Sequence, residues 1–160
     1  MNKQIRVMVT GVGGGGNGEQ LLKALRISTL DYHIIGADMT PLSKGLYAAD
    51  ERVILPPASD PNYLEELKLI CRELQVDALF TGSEPELKVI SKVQDELRAD
   101  GIFLPMNKRE VIETCLDKSK TMHFLHQNGF HMPVSYTVRS LEDLDVITHF
   151  PLVLKPSIGG

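Results

Sequence analysis

Two lysines in the second half of the sequence stand where a lysine could bind phosphate. Lys155 follows the strand-like run 150–154 and leads into Pro156-Ser157-Ile158-Gly159-Gly160, which has the composition of a glycine-rich phosphate loop. Glycines let backbone N–H groups approach an anion without a Cβ in the way. Lys118 follows Asp117, which is also a good N-cap for the helical pattern that begins there. Either lysine alone is more typical of a solvated side chain, whereas the two together make a candidate phosphate site.

A second glycine-rich segment lies near the N-terminus. Gly11-Val12-Gly13-Gly14-Gly15-Gly16 fits the pattern G-x-G-x-x-G, with Gly11, Gly13 and Gly16 at its fixed positions, and Asp38 ends the next strand-like run. This arrangement is typical of NAD(P)-binding proteins, in which the acidic residue contacts the ribose. The same glycines also suit a tight turn with close strand–helix packing or a site for another anion, and Asp38 could cap a turn.

Three acidic residues are candidates for contacts with a substrate. Glu84 and Glu86 follow a buried strand-like run, at the end of the strand where open α/β sheets bind ligands. The spacing of Ser83 and Glu86 also forms a capping box, which we expect to be the role of Glu86. Glu19 could contact a substrate amine or complement the dipole of the first helix.

The elements that position these residues alternate between strand and helix. Apolar runs of strand length alternate with helical patterns of 10 to 15 residues, which predicts an α/β fold with a Rossmann-like parallel sheet and helices on both faces. The pattern changes near Met106, after which we expect a small α+β piece with strands at 134–138 and 152–154. The predicted domains are therefore residues 1–106 and an incomplete domain at 107–160.

Composition limits the classes of function. The 160 residues carry a net charge of −4 without a basic cluster, which argues against nucleic acid as a partner. No apolar run reaches the length of a membrane span and no secretory signal is present, so we expect a cytoplasmic protein. Cys71 and Cys115 lie in apolar-periodic segments and are interpreted as core residues, and no metal site is expected within the chain.

The order of motifs in the second half resembles the opening of an ATP-grasp domain of carboxylate-amine ligases. The matching features are the segment 117–122, the strand and proline at 150–156, and Gly159-Gly160. The short spacing is similar to that of small proteins related to the carbamoyl-phosphate synthase large subunit. Segments 9–14 and 81–87 resemble the pre-ATP-grasp domain that precedes it in this superfamily.

The resemblance implies roles for particular residues. Lys118, Lys155, Ser157, Gly159 and Gly160 would bind ATP, with the glycines at the start of a mobile loop over the phosphates. The first glycine loop would lie on the substrate side and would not bind a dinucleotide. The residues implied there are Gly13, Gly14, Gly15, Asn17, Glu19 and Glu84.

The implied reaction is ATP- and Mg²⁺-dependent ligation of a small-molecule carboxylate to an amine through an acyl phosphate. The acidic residues that bind Mg²⁺ in this superfamily would follow Gly160, so no catalytic residue is expected in the chain and the 160 residues alone should be inactive. The alternatives are an NAD(P)-linked oxidoreductase domain and a non-catalytic module that binds a small ligand. The two substrates and the oligomeric state do not follow from the sequence.

Overall fold

The computed structural model describes residues 4–159, which divide into two compact units between Lys108 and Arg109. The strands of the first unit are β1 (Ile5–Thr10), β2 (Tyr32–Asp38), β3 (Glu51–Ile54) and β4 (Ala78–Phe80). Its α-helices are α1 (Asn17–Arg26), α2 (Tyr63–Glu73), α3 (Glu84–Ile90) and α4 (Gln94–Ala99). Two 3₁₀ helices occupy Lys44–Ala48 and Ser91–Val93. None of the helices within residues 4–159 is long and apolar enough to cross a membrane.

The four strands form one parallel sheet in the order β3-β2-β1-β4. Ile5 pairs with Tyr32 at the start of β1 and β2, and Val7 pairs with Ala78 of β4. The chain therefore adds strands outward from β1 on one side and then returns to the other side of β1 for β4. The α/β class with a parallel sheet, predicted from the sequence, is confirmed, and the order of strands reverses between β1 and β4.

Two hydrophobic clusters cover the two faces of the sheet. Met8 packs with Leu67 of α2 and Leu97 of α4, whereas its neighbours Val7 and Val9 pack with Leu22 of α1. Successive side chains of a strand point to opposite faces, so helices lie on both sides of the sheet. All six side chains are at most 2% exposed. The buried sheet gives the loops at its carboxyl edge a rigid base.

The second unit consists of helices and irregular segments. Its helices are α5 (Arg109–Cys115), α6 (Lys118–Gln127) and a 3₁₀ turn at Glu142–Leu144. The prediction of strands at 134–138 and 152–154 is wrong, since neither segment pairs with a neighbour among the described residues. A strand is stable only within a sheet that has a buried face, and Val153 is 81% exposed.

The two cysteines differ in their environment. Cys71 packs in the core of the first unit, as expected from its apolar neighbours. Cys115 is exposed at the end of α5, so its interpretation as a core residue is wrong. The apolar pattern around Cys115 is satisfied by Ile112, which is 5% exposed. A short helix buries only one narrow stripe of its surface, and Cys115 lies outside that stripe.

Candidate functional site

A cleft of about 720 Å³ lies at the carboxyl edge of the sheet in the first unit. Its walls are the glycine loop after β1, the segment after β2 and the turn from β4 into α3. They include Gly11, Gly13, Gly14, Asp38, Ser83 and Glu86. The cleft is therefore at the point where the strand order reverses, which is where open parallel sheets bind ligands.

The loop after β1 keeps its backbone accessible at its tip. Gly14 and Gly15 have φ angles of +78° and +77°, which disfavour any residue with a side chain. A Cβ atom at Gly14 or Gly16 would meet no atom within 4 Å, so open space surrounds the loop there. The glycines thus let a ligand approach the main chain just before the first turn of α1.

Other glycines near the cleft serve packing. A Cβ on Gly82 would collide with the carbonyl oxygen of Thr10, and one on Gly18 would collide with that of Gly11. The turn after β4 and the start of α1 therefore pack directly on the backbone at the end of β1. This is the close strand–helix packing that we considered as an alternative for the glycine-rich segment, and it is separate from the open tip at Gly14.

Asp38 holds the glycine loop in place. Its Oδ2 atom accepts a hydrogen bond of 2.7 Å from the backbone N–H of Gly13. Its Oδ1 atom accepts one of 2.7 Å from Ser43 Oγ and one of 3.0 Å from the backbone N–H of Thr40. The side chain is buried, with 8% exposure. Both carboxylate oxygens thus accept hydrogen bonds from the protein itself, whereas binding of a ribose would require one of them.

Glu86 lies in the wall of the cleft, whereas the sequence favoured a capping role for it. Ser83 is the N-cap of α3 and its Oγ accepts from Glu86 N, as the capping box predicts. The Glu86 carboxylate in turn accepts a hydrogen bond of 2.7 Å from Ser83 Oγ and lies just below Gly11. Glu84, the expected substrate contact, is not among the described residues of the cleft wall. The two residues differ in burial, since Glu84 is exposed and Glu86 is buried.

Burial gives Glu86 unusual acid–base properties. It is 8% exposed, and this desolvation raises the pKa of its carboxyl group although Ser83 donates to it. Tyr63 of α2, which is 1% exposed, donates a hydrogen bond of 3.2 Å to Glu86 Oε1. Burial and the neighbouring carboxylate raise the pKa of the Tyr63 phenol well above its usual range. The wall of the cleft therefore holds a buried carboxyl group that binds its proton more tightly than an exposed glutamate does.

Glu19 is paired with two lysines at the side of the loop. Its carboxylate lies 2.9 Å from Nζ of Lys23 and 2.8 Å from Nζ of Lys44. The hydrogen bond from Lys44, followed by that from Lys23, lowers the pKa of Glu19 to about 2. Among the described residues, the cleft wall includes Lys44 but not Glu19. The charge of Glu19 is thus balanced within the protein.

The residues expected to bind substrate fall into two groups. Gly13 and Gly14 line the cleft. The other members of the expected set lie outside the described cleft wall, namely Gly15, Asn17, Glu19 and Glu84. The resemblance had implied all six for the substrate side, and the structure brings only the two glycines into the described cleft wall.

In the second unit, the structure joins the start of α6 to the predicted phosphate loop. Asp117 is the N-cap of α6 and accepts hydrogen bonds from the backbone N–H groups of Ser119 and Lys120. The same carboxylate accepts a hydrogen bond from Ser157 Oγ, and these bonds lower the pKa of Asp117, with Ser157 contributing most. Ser157 of the loop thus donates to the same carboxylate that caps α6.

Lys118 also contacts this loop. Its backbone N–H donates to the carbonyl oxygen of Ser157 over 2.8 Å, and its ammonium group donates to the carbonyl oxygen of Gly159. Gly159 has a φ angle of +74° and open space around it. The structure therefore brings Lys118, Ser157 and Gly159 together. Lys155 is exposed, and Gly160 lies outside the described residues.

No group of three or more His, Cys, Asp or Glu side chains within residues 4–159 is arranged to hold a metal ion.

Several solved structures share this fold. An L-amino acid ligase from Bacillus licheniformis is 22% identical, with a TM-score of 0.73 over 99% of this chain and 38% of that one. Glycinamide-RNase-transformylase T from Mycobacterium tuberculosis is 20% identical, with a TM-score of 0.55 over 78% and 35%. The biotin carboxylase domain of 2-oxoglutarate carboxylase from Hydrogenobacter thermophilus, solved with MgADP and bicarbonate, is 18% identical, with a TM-score of 0.56 over 79% and 28%. No curated protein sequence matches the chain.

The parallel sheet of the first unit is thus a fold that the chain shares with these solved structures. Residues 8–104 match the family described as "PylC-like, N-terminal domain", and the chain belongs to that family. It spans only about a third of the length of the solved structures named above.

Proposed function

We propose that this chain is the N-terminal part of an ATP-dependent carbon–nitrogen ligase of the ATP-grasp type. The observation that carries the proposal is the junction of Lys118 with Ser157 and Gly159, because it places an ammonium group against a glycine-rich loop. The loop and the lysine are distant in sequence, so only a folded site brings them together. The family and the fold of the structural neighbours support the same assignment.

The nucleotide phosphates would be held by Lys118, Lys155 and the backbone of the loop that includes Ser157, Gly159 and Gly160. A lysine ammonium about 4 Å from a phosphate oxygen is worth about 4 kcal/mol at an effective dielectric constant near 20. Open space at Gly159 lets backbone N–H groups turn toward an anion. Mg²⁺ bound with ATP would neutralise charge on the phosphoryl group during its transfer to the carboxylate of the substrate. The products of this transfer would be ADP and an acyl phosphate.

The substrate side would be the cleft of the first unit. The open main chain at Gly14 offers a hydrogen-bond donor for an anionic group such as a carboxylate, in the same cleft wall as Lys44. At the floor, Glu86 offers a carboxylate for an amine. An amino acid carries both kinds of group, which agrees with the description of the Bacillus licheniformis neighbour as an L-amino acid ligase.

The alternative of an NAD(P)-linked oxidoreductase is less well supported. It needs Asp38 to bind the ribose, yet both oxygens of Asp38 bind Gly13, Thr40 and Ser43. Titration with NADH is the direct test, and a saturable fluorescence change at micromolar concentration would favour the oxidoreductase.

The ligase proposal predicts that ATP-dependent activity of the full-length protein requires both lysines. We expect Lys118→Ala and Lys155→Ala to abolish ADP release in the presence of a panel of L-amino acids. Lys92→Ala, an exposed lysine of the first unit, serves as the control and should keep the activity. The 160-residue chain alone should hydrolyse no MgATP. Full activity of both lysine variants would refute the assignment of these lysines to ATP, and a wild-type protein that releases no ADP would favour a non-catalytic binding module.

A further inference from the structure

The carboxylate of Asp117 makes more contacts than a helix cap requires. Its Oδ1 atom accepts from the backbone N–H groups of Ser119 and Lys120 over 2.9 and 3.3 Å, which is the usual pattern of an N-cap. The same atom also accepts from Ser119 Oγ over 2.7 Å and from Ser157 Oγ. Four donors thus converge on one carboxylate oxygen, and the last of them belongs to the glycine loop.

The backbone strengthens this connection. Asp117 and Ile158 form an antiparallel pairing, and the N–H of Lys118 donates to the carbonyl oxygen of Ser157. The ammonium group of Lys118 reaches the carbonyl oxygen of Gly159. The residues 157–159 are therefore fixed to the first turn of α6 through both side chains and main chain.

Another aspartate of the same unit makes local hydrogen bonds only. Asp143 Oδ2 accepts from the backbone N–H groups of Arg139 and Ser140 over 2.6 and 2.8 Å. Both donors lie within four residues of the acceptor. Local hydrogen bonding therefore accounts for Asp143, whereas it leaves the bond from Ser157 to Asp117 unexplained.

We propose that Asp117 is a positioning residue that fixes the second glycine loop, residues 157–159, through Ser157. It thereby holds Lys118 and the backbone of this loop in place for the phosphates of a nucleotide. The proposal rests on the ligase function inferred above. If residues 157–159 are already ordered in the folded protein, their conformational entropy is lost during folding. Nucleotide binding then does not have to order them, and the affinity is higher. Asp117 itself need not touch the nucleotide.

The first test measures amide hydrogen exchange of the 160-residue chain without nucleotide. We expect Ser157→Ala to raise the exchange rate of the Lys118 amide by about tenfold, because opening of the loop exposes that N–H group. Asp117→Asn should act in the same direction while keeping the helix, since Asn is also a favourable N-cap. The control Asp143→Ala should leave the Lys118 amide unchanged. Unchanged exchange in Ser157→Ala would overturn the proposal.

The second test measures KM for ATP and kcat in the full-length protein. We expect Ser157→Ala and Asp117→Asn each to raise KM for ATP by about tenfold with kcat changed by less than about threefold, and the double variant to add little more. Additive effects, or an unchanged KM despite faster amide exchange, would refute a positioning role. If Lys118→Ala also kept full activity, the ligase proposal itself would fail, whatever the exchange rates show.

Discussion

Replacement of Asp38 by Asn tests whether this residue anchors the first glycine loop, which follows β1, or binds a ligand. Asn keeps the size of Asp and one acceptor oxygen. In the favourable orientation, that oxygen still accepts from Thr40 N and Ser43 Oγ. The amide group of Asn then faces the backbone N–H of Gly13, where Asp38 accepts over 2.7 Å. One charge-assisted hydrogen bond is thus lost, and two donors, the amide group of the introduced Asn and the Gly13 N–H, face each other.

The size of the effect follows from that single bond. A hydrogen bond to a charged group contributes about 1.5 to 3 kcal/mol, and an unpaired buried donor costs about 1 to 3 kcal/mol. Because Asp38 is only 8% exposed, water compensates poorly for the lost bond. We therefore expect Asp38→Asn to lower the free energy of unfolding by about 2 kcal/mol.

Urea unfolding followed by far-UV circular dichroism would measure this loss. With a slope of about 2 kcal/mol per molar urea, the midpoint should fall by about 1 M. Asp60→Asn is the matched control, since Asp60 accepts from Asn62 N over 2.8 Å in a turn of the same kind. That exposed bond survives the substitution, so the control should change stability by less than about 0.5 kcal/mol.

One combination of results would refute the anchoring role. If Asp38→Asn unfolded at the same urea concentration as the wild type but bound NADH more weakly, Asp38 would be a ribose ligand. The glycine loop would then belong to a dinucleotide site, and the substrate cleft proposed here would be misassigned.

Two further predictions concern titratable side chains of the first unit and the exposed end of α5. The raised pKa of Glu86 means that the folded protein binds this proton more tightly than the unfolded chain, so its contribution to stability is greatest below about pH 4.5 and is lost as pH rises through the folded pKa. The free energy of unfolding of Glu86→Gln, relative to that of the wild type, should therefore be higher at pH 8 than at pH 4 in urea titrations. An equal difference between variant and wild type at the two pH values would contradict the burial argument. Burial raises the pKa of the Cys71 thiol to about 12, whereas Cys115 is exposed. A disulfide reagent at pH 8 should modify Cys115 at least about 100-fold faster than Cys71, and equal rates would show that the core opens readily.

Local signals account for the parts of the fold that were predicted correctly. The short β-branched run of β1 and the glycines that follow it are short-range features, and they predicted a strand and a turn of the right kind. The cap at Asp117 is similarly local, since its acceptor and donors lie within three residues. The failed strands at 134–138 and 152–154 had the right composition, but strand pairing depends on neighbours that a local pattern does not contain.

The sequence by itself determined the parallel α/β sheet and the placement of the glycine loops, because periodicity and turn chemistry act over a few residues. The candidate role of Lys118 came from the resemblance to a known superfamily. Only the tertiary structure decided that Glu86 and not Glu84 enters the cleft, and that Asp38 binds its own loop. It also decided that Lys118 meets Gly159, 41 residues away. Such contacts depend on how buried elements pack, and packing fixes side-chain directions that residue type and spacing leave free.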